Sequence, residues 1–386
     1  MSKQLSNLIR LIRDNDGIND KSRLARIICE SAGLTKDRSV FYCSSYAIRF
    51  SSSESQAFGN TVASLSRLQK YDDRPFIVCL VTPERNFCFL ANSTLLKKIS
   101  HSSEQLRVNN IRGSFNGSDI SREFEGIENT AENIERLFNI HAAIGFDGNL
   151  ERLVEATNNI TPTGIKFAVT DDTRKTILSA PRRAAQFVSS RDAETLKSEL
   201  DDRVSKFKNE ILLAALIENI NVRGRVIEYL IAGEDEELRQ RLIDALTSSE
   251  GKGLPQFKTE NALGDYGKRF DRFDTETDVK TKLMVLNSNP KAYNLDKMLE
   301  FLAHERSVFM FYFIGVEPTR IVNTALVSVF QRDLLNATIL LRHWAGRNSR
   351  GVSQFEGRAI NELISTPNIV IDEMKAQEFL AGVIDL

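Results

Sequence analysis

The sequence predicts an α/β (α+β) fold, with a mixed central sheet flanked by helices and a smaller α+β domain ahead of it. Three observations carry this expectation. Short β-rich runs with a hairpin pattern crowd the first quarter of the chain. A long stretch of helical periodicity fills the middle. Continuous apolar runs such as "SVFMFYFIG" follow, and these suit strands buried on both faces with helices packed over them. At 386 residues the chain has room for two domains.

In the first region "MSKQLSNLIRLIRDNDG" reads as a short amphipathic helix. "SVFYCSSYAIRF" and "RPFIVCLV" are strand candidates, and "TPERN" turns the chain so that "FCFLA" pairs back as a hairpin. "GSFNGSD" reads as a turn-rich loop around Asn116-Gly117. Asn129 with Glu132 forms a capping-box pattern ahead of "IERLFNIHAAIG", and "NLERLVEATNNI" is a further amphipathic helix. "NITPTGIKF" breaks the pattern, so a boundary falls between residues 125 and 165. The expected domains are 1–150 and 151–386.

In the second region Leu196, Leu200, Val204, Phe207 and Ile211 recur at spacings of three and four, giving a helix one apolar face. "LIENINVRGRVIEYLIAG" continues helically and stops at Gly233, and a Gly/Pro loop, "EGKGLPQF", follows. The strand candidates are "ENALGDYG", "TDVKTKLMVL", "SVFMFYFIG" and "TALVSVFQ", with a helix, "NLDKMLEFLAHE", between the second and third.

A net charge of −1 neither announces nor excludes a nucleic-acid partner, because the charge is segregated. "REFEGIENTAENIE" is acidic, whereas "KTILSAPRRAAQFVSSR" and "LLRHWAGRNSRGVSQFEGR" are basic. Cys29, Cys43, Cys79 and Cys88 have no CxxC spacing and no histidine in ligand register, so they read as thiols of a reducing compartment. There is no apolar run of membrane-spanning length and no N-terminal signal pattern, so the expected location is cytoplasmic. Neither a GxxxxGK[ST] phosphate loop nor a GxSxG nucleophile elbow is present.

The chemistry concentrates in "DTETDVKTKLMVL". Strand alternation puts Asp278, Lys280 and Lys282 on one side and Val279, Thr281 and Leu283 on the other, with the apolar end expected to enter the core. Asp274 and Glu276 read as turn or solvated positions. "LGDYG" places Asp265 upstream with twelve residues between it and Asp278, so a hairpin could bring the two aspartates together. Asp271 and Asp274 are rivals to Asp265, and Lys282 is a rival to Lys280. A carboxylate pair offers hard oxygen ligands suited to Mg2+, and a lysine beside it can orient water or stabilise a phosphoryl transition state. Glu228, on a helix, could complete a metal shell.

A helix glutamate, a "GDY" aspartate and "DVK" before an apolar strand resemble the PD-(D/E)XK nuclease superfamily. The whole chain resembles a type II restriction endonuclease of bacterial restriction-modification systems, including "ISHSSEQLRVNNIRGSFNGSDI", "SNPKAYNLDKMLEFLA" and "HWAGRNSRGVSQFEG". The resemblance implies a restriction-endonuclease-like core. It also implies Mg2+-dependent, sequence-specific hydrolysis of double-stranded DNA, leaving 5′-phosphate and 3′-hydroxyl ends. A homodimer in the bacterial cytoplasm, and a cognate DNA methyltransferase in the same system without a stable complex, are implied as well. Asp265 and Asp278 would be metal ligands, Lys280 the family's lysine, and Glu228 the acid of the preceding helix. Gly264 stands where the family has a proline.

Downstream, Arg342, His343, Arg347, Asn348, Arg350 and Gln354 lie in a glycine-marked stretch, 342–358, read as a DNA-recognition loop. Arginine can bond guanine bidentately, and asparagine or glutamine can do the same for adenine. Lys97, Lys98, Arg107 and Arg112 offer a further basic region for DNA contact or dimerisation. Two alternatives stand beside the nuclease. One is a non-catalytic DNA-binding protein on a degenerate nuclease core, and the other is an interaction module in which "TDVKTK" is a solvated edge.

Overall fold

A computed structural model describes residues 2–54, 58–101, 105–121, 130–160, 166–217, 219–248, 254–255, 263–343 and 349–386. The fold is α+β, in two compact units: residues 1–164 with 343–348, and residues 165–342 with 349–386. None of the helices among the described residues is long and apolar enough to cross a membrane.

The first unit contains helices α1 (Ser2–Arg13), α2 (Lys21–Ala32), α3 (Leu65–Tyr71) and α4 (Ala131–Asn158). Its strands are β1 (Thr35–Asp37), β2 (Val40–Tyr42), β3 (Ala47–Ser52), β4 (Thr61–Ser64), β5 (Phe76–Val81), β6 (Asn86–Leu90) and β7 (Ser114–Asn116). β1, β2, β3, β5 and β6 form one sheet in that order, with β3 and β5 parallel, and β4 pairs with β7. Helix α1 is amphipathic as its pattern predicts, burying Leu5, Leu8, Ile9 and Ile12. The Asp20 carboxylate caps α2 by accepting the backbone N–H groups of Ser22 and Arg23, and Gly33 closes it with φ 62°.

Local expectations change in this unit. "GSFNGSD" is strand β7 followed by a 3-10 turn that Asn116 caps, so part of it pairs rather than loops. Helix α4 is capped by Thr130, whose hydroxyl accepts the Asn133 N–H; Asn129, expected to cap it with Glu132, lies outside the described residues. The two helices expected after it are both present within α4, separated by a kink at the non-helical Gly145 (φ 71°), and the unit runs past residue 150 to residue 164.

The second unit opens with α5 (Asp171–Leu178), α6 (Ala180–Val188), α7 (Arg191–Lys206), α8 (Lys208–Ala215), α9 (Ile220–Ala232) and α10 (Glu236–Thr247). Leu196, Leu200, Val204, Phe207 and Ile211 are all buried, as their spacing requires, although the helix breaks at Phe207. Strands β8 (Tyr266–Arg269), β9 (Asp274–Leu283) and β10 (Lys291–Asn294) follow, then α11 (Leu295–Leu302), β11 (Ser307–Glu317) and β12 (Arg320–Ser328). The remaining elements are α12 (Arg332–Asn336), β13 (Thr338–Arg342), β14 (Gly351–Phe355), α13 (Gly357–Ser365) and α14 (Glu373–Ile384). β12, β11, β9 and β8 form the main sheet, and β10, β14 and β13 a smaller one. β11 is parallel to β9, joined to it through β10 and α11, and antiparallel to β12.

Strand β11 is buried from Ser307 to Val316, which is why its sequence is apolar without alternation. Phe309, Phe311 and Phe313 cover one sheet face and meet Tyr293 and Phe355 of the smaller sheet; the Phe311 and Phe355 centroids are 5.0 Å apart, edge to face. On the opposite face the Tyr312 and Thr324 hydroxyls each donate to Asp201 Oδ1 (2.6 Å), and Lys197 Nζ lies 2.5 Å from Asp201 Oδ2. This network fixes α7 on the sheet.

Three expectations change in this unit. β9 ends at Leu283, and the chain turns at Met284 and Val285; Leu283 and Met284 pack half-buried against the core, but Val285 is 67% exposed and Leu286 42%, so the apolar end enters the core only as far as Met284. The strand expected at "ENALGDYG" begins only at Tyr266, and residues 256–262 lie outside the described set, as does most of the "EGKGLPQF" loop. The stretch 342–358 is not a single loop, because β13 and β14 pair antiparallel (Arg342 opposite Gly351) and α13 starts at Gly357.

Because Phe311 touches Phe309, Phe313, Tyr293 and Phe355, Phe311→Ala should destabilise the protein by about 3–5 kcal/mol, measured by urea unfolding. An unchanged midpoint would mean that this aromatic cluster does not hold the second unit together.

Candidate active site

The site is built on the β8–β9 hairpin. Tyr266 pairs with Thr277 and Arg269 with Asp274. Asp265, just ahead of β8, is clamped against β9 twice. Its backbone N–H donates to Thr277 O (2.9 Å), and its Oδ2 accepts the Val279 N–H (2.9 Å). The clamp sets its carboxyl in hydrogen-bond contact with that of Asp278. Gly264 permits this approach, because a Cβ there would lie 2.9 Å from Thr277 N and 3.0 Å from Glu276 Oε2.

Lys280 joins the aspartates to helix α9. Its Nζ is 2.6 Å from Asp278 Oδ1 and 3.9 Å from Glu228 Oε1. The cluster is graded in depth. The Asp278 side chain is 5% exposed, Glu228 18% and Lys280 21%, while Asp265 is exposed at the lip. Asp278 and Lys280 are register partners of Phe311 and Phe313, so β9 carries charge at the level where β11 carries aromatic rings.

That depth sets the electrostatics. Burial pushes the Asp278 carboxyl well above the usual carboxylate range; Lys280 opposes the rise and Asp265 adds to it. Burial raises Glu228 to about 7, against Lys280 and with Asp265. Burial pulls Lys280 down, but Asp278, Glu228 and Asp265 outweigh it and hold the ammonium above its ordinary value. Lys280 therefore stays charged at neutral pH.

The structure brings together all four residues of the acid-lysine set and separates their rivals. Lys282 is buried, and its Nζ donates to the carbonyls of Leu286 and Ser288 (3.0 Å to the latter), so it secures the turn after β9. Asp271 lies in the hairpin turn, and Asp274, at the same end, pairs with Arg306 (3.4 Å). Glu276 is a correction: it is a half-buried residue of β9, not a turn or solvated position. Burial raises its carboxyl, the Gly264 N–H bonded to it lowers it, and Asp265 raises it. The two-residue period Glu276, Asp278, Lys280 was the available signal.

The expected DNA-recognition residues scatter. Arg350 is buried: Nη1 lies 2.5 Å from Asp296 Oδ1 and donates to Phe167 O (3.0 Å), while Nε and Nη2 donate to Ile384 O (3.3 and 3.2 Å). Its guanidinium is a structural pin and is corrected out of the base-contacting set. Arg342 is exposed at the end of β13, His343 follows half-buried, and Gln354 is half-buried on β14. Arg347 and Asn348 lie outside the described residues.

The donor set fits Mg2+ in chemistry and in charge. Asp265 and Asp278 supply hard oxygens, and this ion is commonly held by one or two carboxylates plus substrate oxygens rather than by an all-protein cage. No group of three or more metal-ligating side chains is gathered among the described residues, and Glu228 adjoins the aspartate pair through Lys280. Three carboxylates against one ammonium leave two uncompensated negative charges if all ionise. The raised carboxyls of Asp278 and Glu228 reflect their burial first, with Lys280 opposing the rise and Asp265 adding to it.

A carboxyl whose pKa is higher in the folded than in the unfolded protein costs stability as pH rises. The Glu228 contribution is intact below the unfolded value of 4.5 and lost as pH passes about 7. Without divalent cation, raising the pH through that window should lower stability by roughly 3 kcal/mol from this group. Glu228→Gln should flatten the loss, as followed by urea unfolding at several pH values. An equally steep loss in the variant would place the titration elsewhere. No family model matches the chain, and no curated protein matches it, so its own residues carry the functional reading.

Proposed function

We propose that the protein is a Mg2+-dependent endodeoxyribonuclease that cuts double-stranded DNA at specific sequences, in the manner of a type II restriction enzyme. The observation that carries the reading is the convergence of Asp265, Asp278, Lys280 and Glu228 from a hairpin and a helix. Asp265 and Asp278 would hold the metal, and Glu228 would support it. Bound Mg2+ would supply water activation and charge neutralisation at phosphorus. Lys280, fully charged and anchored by Asp278, stabilises negative charge on the phosphoryl oxygens and orients the attacking water. Its raised pKa makes it a poor proton acceptor, so general-base work does not fall to it. Cutting both strands of a two-fold site calls for two copies of this chain. Arg342 and Gln354 remain residues for DNA contact; Arg347 and Asn348 lie outside the described residues.

Plasmid or phage DNA should be cleaved at discrete positions with Mg2+ and left intact in EDTA. Asp278→Ala and Lys280→Ala should each lower the rate by ~100-fold or more. Cleavage that survives both substitutions overturns the assignment. Salt-sensitive duplex binding without cutting would make this a non-catalytic DNA-binding protein.

Cleavage at limiting Mg2+ should rise with pH through about 7, because Glu228 and Asp278 must lose protons to take a cation. Higher Mg2+ should move that limb to lower pH. A limb that ignores Mg2+ would separate the titration from metal binding.

A further inference from the structure

We infer that a cleft in the first unit, between α2 and the β1–β3 edge of its sheet, binds the phosphate of a nucleotide, free or within a single strand. The cleft encloses about 500 Å3, in the range of roughly 300–1,000 Å3 usual for small-molecule sites. Lys21, Arg26, Lys36, Arg38 and Arg49 line it against a single acid, Glu30. Among the described residues none of these five cations is ion-paired. Their neighbours Arg67 and Lys70 both hold Asp37 (2.6 and 2.7 Å). The cleft therefore keeps unpaired cations, whereas Arg67 and Lys70 beside it are paired.

Arg49 shows that the excess is built in. It is half-buried on β3, with Nε donating to Val62 O (3.0 Å) and Nη1 to Ser39 O (3.2 Å). Two carbonyls fix the guanidinium without neutralising it, and burying a cation without a counter-ion is costly. An anion in the cleft offsets that cost. Three of the five cations are arginines, whose planar fork matches phosphate oxygens two at a time. The wall beside them is aromatic. Phe41 is half-buried, braced edge to face by Phe50 at 5.8 Å, with Lys36 Nζ 5.9 Å from its ring centre. A ring next to a phosphate site gives a base a surface to stack on. An acidic peptide would use the cations and leave the ring idle, which decides for a nucleotide.

This site shares no residue with the acid-lysine cluster and stands independently of the nuclease reading. The test uses the full-length chain in EDTA, with a fluorescein-labelled single-stranded oligonucleotide and adenosine 5′-triphosphate as separate probes. Lys36→Ala with Arg38→Gly removes two exposed cations, and glycine suits the left-handed backbone of Arg38 (φ 54°). The pair should weaken binding by ~10-fold or more and make its salt dependence shallower. Glu30→Gln should tighten it. Equal binding of both probes identifies a nucleotide pocket, and binding of the oligonucleotide alone identifies a strand groove. The proposal fails if neither probe binds, if the double variant binds as tightly with an unchanged melting curve, or if poly-glutamate displaces the probe as well as the nucleotide does.

Discussion

The parallel pairing of β9 with β11 is the constraint from which the second unit follows. It runs unbroken from Asp274 opposite Ser307 to Leu283 opposite Val316. Parallel strands need cover on both faces, and helices and the smaller sheet supply it around β11. β9 is thereby drawn to the depth of β11, although its sequence carries charges where β11 carries phenylalanines. Charges at that depth survive only in each other's company, so the Lys280–Asp278 contact is a condition of the fold.

Polar networks elsewhere show what a purely structural solution looks like. Asp201 is surrounded by Lys197, Tyr312 and Thr324, and despite burial its carboxyl is held below the ordinary value. In the first unit Asp72 takes bonds from Asn92, Ser93 and His141, tying α4 to the turn after β6. Those acids are satisfied. The acids around Lys280 are not: Asp278, Glu228 and Glu276 are all displaced toward the neutral form. The difference is burial without enough hydrogen-bond donors around the carboxyls to offset it.

Most of this organisation was legible in the sequence because it rests on periodicity. The helical face through Leu196 to Ile211, the hairpin of β5 and β6, and the doubly buried β11 are all local patterns that the core then uses. The alternation of "DVK" also survives, since side-chain parity is a property of the strand itself. What was not legible depends on contacts distant in sequence. Arg350 looks like any exposed arginine until Asp296, Phe167 and Ile384 converge on it. Lys282 and Lys280 are alike in sequence, and only the turn carbonyls decide between them. "MVL" is apolar enough for a core, but beyond Met284, whose N–H still donates to Val316 O, the chain turns and leaves Val285 and Leu286 exposed.

Gly264 limits what the hairpin can accommodate. The space its missing side chain leaves is taken by the backbone at Thr277 and by the Glu276 carboxylate, which also accepts the Gly264 N–H. A proline at 264 would bring both bulk and the loss of that donor. Position 264 and the strand at 276–277 therefore constrain each other, and a change in either alone would misplace Asp265.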